Sequence, residues 1–262
     1  MRTSKKRVTM FTTKQKGQEV AIMFQLKLDF TLENPELPLE LDRLLVSFLK
    51  ASTSKYSKEF YESLYDKTKS VMKPFTFAYF LPGAIFKENK ILLKDNQFTM
   101  FFSNADLAQM ILFFNSFQTM KFQGYPMKNN SMTLTSVRTQ KRQEIKETEI
   151  IIKLQSSLIV RRHETETNKD YYYTCNDSEF ETVLKENIKF FLEKMSLPIS
   201  TDGFSVLPVK GKKVVANVFG RKVDASIGIY KLCGSPELLN VLYQAGLGAR
   251  RSEGHGKFEI IG

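Results

Sequence analysis

Cysteine, histidine and tryptophan are nearly missing from this 262-residue chain: Cys175, Cys233, His163 and His255 are the only members of the first two types, and there is no tryptophan. So few cysteines and histidines exclude a zinc finger or other Cys/His-rich structural metal site. They also exclude a disulfide framework and suggest a reducing compartment, read here as the cytoplasm. No run reaches the roughly 18 apolar residues of a membrane helix, so no membrane partner is expected. The N-terminus is charged but has no apolar core, which is not the pattern of a secretory signal. Acid is in short supply too, with 28 Asp and Glu against 39 Lys and Arg, a net charge of +11. An excess of that size favours a polyanionic partner, through steering and counterion release, with nucleic acid the commonest such partner and an anionic membrane surface its rival on charge alone.

Apolar residues make up 42% of the chain and phenylalanine alone contributes 22, enough to build a core. Residues 1–22 form a separate basic stretch, in which Arg2, Lys5, Lys6, Arg7, Lys14 and Lys16 face only Glu19. It reads either as a mobile arm on phosphates or as an extension ahead of a start at Met23. From Met23 to Leu32, apolar residues alternate as in a half-buried strand. Helical spacing predicts helices over 37–50 and 57–66, a strand over 74–81 and another over 97–102. A helix over 105–117 is expected to be capped by Ser103 or Asn104, with a strand following over 131–139. That succession, strand-helix-strand-strand-helix-strand, is the split βαβ of a ferredoxin-like fold.

The second half repeats the order. A strand over 149–161 breaks near Ser156-Ser157, and a short one covers 171–174. Ser178 and Glu181 spell a capping box for a helix ending near Met195. Strands are expected over 204–209, 214–219 and 225–232. Ser235-Pro236-Glu237 then reads as N-cap, first-turn proline and acid for a helix that stops at Gly246, and a final strand covers 258–261. The fold class predicted is α+β, two tandem ferredoxin-like (βαββαβ) domains over 23–140 and 141–262.

The densest motif is Gly246-Leu247-Gly248-Ala249-Arg250-Arg251-Ser252-Glu253-Gly254-His255-Gly256. Four glycines around two arginines, straight after a helix, suit an anion-binding nest of backbone N–H groups with bidentate cationic donors. A helix C-cap followed by a loose turn is the plainer alternative. Lys210, Lys212 and Lys213, set around Gly211, read as a basic hairpin tip or a plain solvated turn.

This spacing, Gly-x-Gly, five residues, Gly-x-Gly, resembles the C-terminal glycine-rich signature of the RAMP superfamily of CRISPR-associated proteins. The run from Gly228 to Gly246 resembles the strand and helix that lead into that loop. Ser156 to Arg161 with Tyr171 to Met195, and Lys73 to Phe77, resemble further parts of the family's repeat-RNA-processing endoribonucleases. The resemblance implies CRISPR repeat RNA as partner, with Gly246, Gly248, Arg250, Arg251, Ser252, Gly254, His255 and Gly256 and the lysines at 210, 212 and 213 on the RNA. It implies cleavage with no cofactor and no metal, by attack of the 2′-hydroxyl. It also leaves room for partners in an effector complex and for a homodimer.

One departure bears on the chemistry. Many members carry a histidine in a Leu-His-x-x-Gly-Tyr pattern, where this chain reads Phe60-Tyr61-Glu62-Ser63-Leu64-Tyr65. Tyr61 takes the histidine's place, and an unperturbed tyrosine is a weak base near neutrality. By the resemblance, Tyr61 and Lys67 become the catalytic candidates, with Lys50, Lys55, Lys69 and Lys73 as alternatives to Lys67. His255 is read as a passive or RNA-contacting loop residue, and His163 as an exposed hairpin residue.

Overall fold

The structure is a computed structural model that describes residues 12–15, 18–21, 23–66 and 68–262. The expectation for residues 1–22 falls largely outside them; within that stretch, β1 (Thr12–Gln15) pairs with β2 (Gln18–Ala21). The alternation after Met23 becomes β3 (Phe24–Leu32), which turns Leu26, Leu28, Phe30 and Leu32 inward. There follow β4 (Glu36–Pro38), α1 (Leu41–Tyr56), α2 (Lys58–Tyr65), β5 (Phe75–Phe80), β6 (Ile85–Phe86), β7 (Lys90–Leu92), β8 (Gln97–Asn104), α3 (Leu107–Met120), β9 (Gly124–Met127) and β10 (Asn130–Lys141). The five-stranded sheet runs β5-β8-β3-β10-β9. With the β9 edge hairpin set aside, its strands lie fourth, first, third, second across the sheet, which is the ferredoxin order.

The second half contains β11 (Glu149–Leu154), β12 (Val160–Glu164), β13 (Lys169–Tyr173), α4 (Phe180–Lys194), β14 (Ser205–Val218), β15 (Arg221–Cys233), α5 (Pro236–Ala245) and β16 (Phe258–Ile260). Its sheet runs β14-β15-β11-β16, the same order read from the other edge, and β12 and β13 form a separate hairpin. The fold is thus two ferredoxin-like domains in tandem, each with its own apolar core. No helix among the described residues is long and apolar enough to cross a membrane.

Four local expectations shift. The first helix begins at Leu41 and not Leu37, because Glu36–Pro38 pairs with Lys90–Leu92 as an edge strand. The cap of α3 is Asp106, whose carboxylate accepts from Gln109 N at 3.0 Å, while Asn104 caps Asp106 itself. The capping box before α4 does not form: Ser178 bonds Glu179, and Glu181 accepts instead from Val206 N in the neighbouring strand. Lys210, Lys212 and Lys213 are not a hairpin tip. They lie within β14, Gly211 sits opposite Gly228, and the chain turns only at Phe219-Gly220. Gly211 serves close packing rather than a turn, since an added Cβ would meet Cys175 Sγ at 3.0 Å.

Candidate nucleic-acid interface

Helix α5 forms as its sequence dictates. Ser235 Oγ accepts from Leu238 N, Pro236 occupies the first turn, and Gly246 ends the helix at φ +84. The loop that follows folds onto itself and onto the other domain. Leu247 N donates to Gly256 O at 2.9 Å, Ala249 N to Ile159 O at 2.8 Å, and Gly256 N to Ser157 O at 2.9 Å. Those amides are therefore committed to protein carbonyls and not offered to an anion. The glycines permit close approach: a Cβ on Gly256 would lie 1.9 Å from Leu247 O, and one on Gly254 2.7 Å from the Phe77 ring of β5.

The loop is the joint between the domains. Thr76 Oγ1 donates to His255 O at 2.8 Å, and Lys257 Nζ donates to Ser103 Oγ at 3.1 Å. Arg251, in the short 3-10 turn Arg251–Glu253, lays its guanidinium 3.7 Å from the centre of the Phe191 ring and reaches Met72 Sδ at 3.4 Å. Arg251 is 6% exposed, His255 3% and Lys257 0%, so none of the three faces solvent. Burial alone pulls Arg251 down to about 9, and burial foremost takes Lys257 well below the ordinary lysine range. Arg250 and Ser252 are only half-buried, and Arg250 pairs with Glu253 at 3.1 Å.

A polar cleft of about 110 Å³ opens beside the joint, lined by Asp42, Tyr79, Gln155, Ser156, Ser157, Gly254 and His255. The His255 ring shares a hydrogen bond with Ser157 Oγ through Nδ1 at 2.9 Å, and its Nε2 lies 4.0 Å from Asp42 Oδ2 without a hydrogen-bond partner. Burial, then the Arg250 charge, lowers His255 to about 4, which leaves a neutral imidazole at physiological pH. Burial raises Asp42 to about 7; Tyr79 opposes the rise and Glu253 adds to it.

Of the two catalytic candidates, Tyr61 is half-buried on α2, its ring centre 5.4 Å from that of Tyr65. Lys67 lies outside the described residues. Lys210, Lys212 and Lys213 are exposed on β14, with Lys213 paired to Asp224 at 2.7 Å. The structure brings the glycine-rich loop to the segment just after α2, through Arg251 and Met72; it does not bring the β14 lysines into that contact. Sequence reasoning missed Asp42 and Tyr79, which the packing of α1 on β5 brings together, and Lys257, which meets Ser103 only across the joint. Among the described residues, no three His, Cys, Asp or Glu side chains group as metal ligands.

Residues 139–260 match the family described as CRISPR associated protein Cas6, C-terminal. No curated protein matches the chain. Among solved structures, a Cas6-related protein from Pyrococcus furiosus superposes with a TM-score of 0.79 at 18% identity, covering 91% of this chain and 98% of the other. A RAMP protein described as binding different RNA substrates gives 0.79 at 17% identity, covering 92% and 100%. A Cas6 product complex gives 0.67 at 15% identity, covering 91% and 99%. At these identities the superpositions establish the tandem fold.

Proposed function

We propose that this protein, whose residues 139–260 match the Cas6 C-terminal family, binds CRISPR repeat RNA and cuts the precursor transcript into guide units without a metal. The 2′-hydroxyl of the nucleotide before the scissile phosphate attacks phosphorus, the bond to the 5′-oxygen breaks, and the products carry a 2′,3′-cyclic phosphate and a 5′-hydroxyl. Such a reaction needs an in-line geometry, a proton acceptor, a proton donor and cations around the phosphorane. Tyr61 is assigned to orienting the 2′-hydroxyl and Lys67 to the charge on the phosphorane and leaving oxygen. The glycine-rich loop divides its work: Arg250 and Ser252 reach the RNA, while Arg251, Gly254, His255 and Gly256 hold the domains in register beneath it. Lys210, Lys212 and Lys213 extend the cationic surface along β14.

The observation that carries this reading is the contact of Arg251 with Met72, which sets the family's loop against the segment that follows Tyr61. A second reading, a non-catalytic subunit that holds repeat RNA in an effector complex, draws on the fate of the histidines. His163 bonds Asp170 in the β12–β13 hairpin, and His255 is buried at the joint, so neither stands at α2 as an acid or base. Incubation of purified protein with its cognate repeat RNA in EDTA, followed by end-group analysis, separates the two. A single cut that leaves a cyclic phosphate is the expected result. Tight binding without a cut moves the assignment to the binding subunit.

A further inference from the structure

Beside α2, folding gathers hydrogen-bond donors and leaves them without acceptors. Lys50 Nζ lies 5.4 Å from the centre of the Tyr65 ring, and Lys73 Nζ lies 5.2 Å from the centre of the same ring. One cation over a tyrosine is a favourable pair. Two on one ring bring like charges together. The neighbouring ion pairs join Lys58 to Glu62 and Lys69 to Asp66, whereas neither Lys50 nor Lys73 has a carboxylate partner among the described residues. The Tyr65 hydroxyl is shielded from solvent and also has no partner there. Burial first, and the Tyr61 phenol second, push Tyr65 above the ordinary tyrosine range, so its hydroxyl stays a donor. Burial, followed by the Lys50 charge, lowers Lys73, and Glu253 acts against that; Glu253 itself is held by Arg250.

Two ammonium groups thus share one ring, with no acceptor for either among the described residues. Each lysine brings up to three N–H groups. A tetrahedral oxyanion meets that demand, with several acceptor oxygens and a charge that relieves the repulsion between the ammonium groups. Lys50 is exposed and Lys73 half-buried, so the site opens to solvent on the α1 side. Its position next to the glycine-rich loop lies on the path assigned above to RNA.

We propose that Lys50 and Lys73, gathered on the Tyr65 ring, form a binding site for one phosphodiester of the RNA backbone. The site rests on the RNA-binding reading and adds to it a fixed register for the strand. It also gives α2 a cationic pair that does not depend on Lys67.

The test scans the repeat RNA with a single neutral methylphosphonate at successive linkages. For wild-type protein, substitution at one linkage is expected to weaken binding about tenfold, the scale of a lost charge-assisted contact. In the Lys50→Ala, Lys73→Ala double variant that one penalty disappears and the penalties elsewhere remain. The slope of log affinity against log salt flattens by about 0.7, one single-strand phosphate contact. Tyr65→Phe, which keeps the ring under both lysines, is expected to keep the penalty at that linkage. The double variant removes repulsion between like charges and is expected to melt no lower than wild type; Lys50→Gln, Lys73→Gln serves if the alanine pair fails to fold. A double variant with the wild-type penalty at the same linkage overturns the site alone. Wild-type protein that binds no RNA overturns the functional reading together with the site.

Discussion

In the first domain the deep layer is aromatic: Phe102 and Phe113 pack tilted at 52° with ring centres 4.7 Å apart, and Phe30 and Phe98 stack with centres 4.8 Å apart. The second domain repeats the strand order, yet around its joint it buries cations and an imidazole: Arg142 against Tyr243, Arg251 against Phe191, His255 over Ser157, and Lys257. On the first domain's side of the joint stand small polar groups, Thr76 and Ser103, with Asp42 at the cleft. One domain is held together by apolar burial, while the other also buries charge where it meets its neighbour. Removal of a group should therefore have opposite consequences on the two sides. An apolar ring leaves a cavity, whereas a buried cation takes its desolvation cost with it.

The steepest test is a glycine at the joint. Gly256→Ala forces a Cβ to 1.9 Å from Leu247 O at a residue with φ +71, and the loop cannot close. We expect a loss of about 4 kcal/mol or more, or no folded protein. Gly124→Ala, where nothing lies within 4 Å, should leave the melting temperature unchanged. Equal effects from the two substitutions would deny the joint its special role. Next comes Phe113→Ala in the aromatic layer, which should cost about 3–5 kcal/mol in denaturant melts.

The third test is a pH profile. Asp42 is raised from 3.8 to about 7 by burial, so its contribution to stability is present below about pH 4 and fades as pH rises through 7. His255 is lowered from 6.5 to about 4, so its contribution is present above pH 6.5 and fades as pH falls through 4. The two slopes oppose each other between about pH 4 and 6.5, and wild type should be flat there. Asp42→Asn should leave stability rising with pH in that window, and His255→Gln should leave it falling. Parallel profiles for all three proteins would show that the pair does not titrate as placed. The smallest effect belongs to Lys257→Met, which exchanges a buried ammonium for an apolar chain of similar length. It should change stability by about 1 kcal/mol, more often upward, against the several lost at Phe113. It should also remove a rise in stability as pH approaches 10.5, since burial lowers Lys257 in the fold and the unfolded chain holds that proton more tightly.

The strand order, the αβ alternation and the capped helix into Gly246 could be read from the sequence, because each rests on local periodicity or on a cap within four residues. The start of α1 could not, since β4 depends on pairing Leu37 with Ile91 far along the chain. Gly211 looked like a turn for the same reason: its partner, Gly228, is set by the sheet and not by its neighbours. At the site, the four glycines stood out as unusual, but their purpose did not. They let two carbonyls of their own domain come close and, across the joint, the Phe77 ring, contacts set by the folded chain and not by neighbours in sequence. The Lys50–Tyr65–Lys73 grouping was hidden likewise, as its members come from two helices and the connection that follows them.

The joint also sets a timetable for synthesis. The surface around Thr76, Phe77 and Ser103 is made early, and the residues that cover it, from Gly254 to Lys257, are translated only after β10 and the whole second sheet but its last strand. At roughly 5–20 residues per second, the first domain waits on the order of ten seconds with that face bare. Through that interval it is a partner for chaperones, or for a neighbouring chain on the same messenger, and slower translation through the second domain lengthens the exposure.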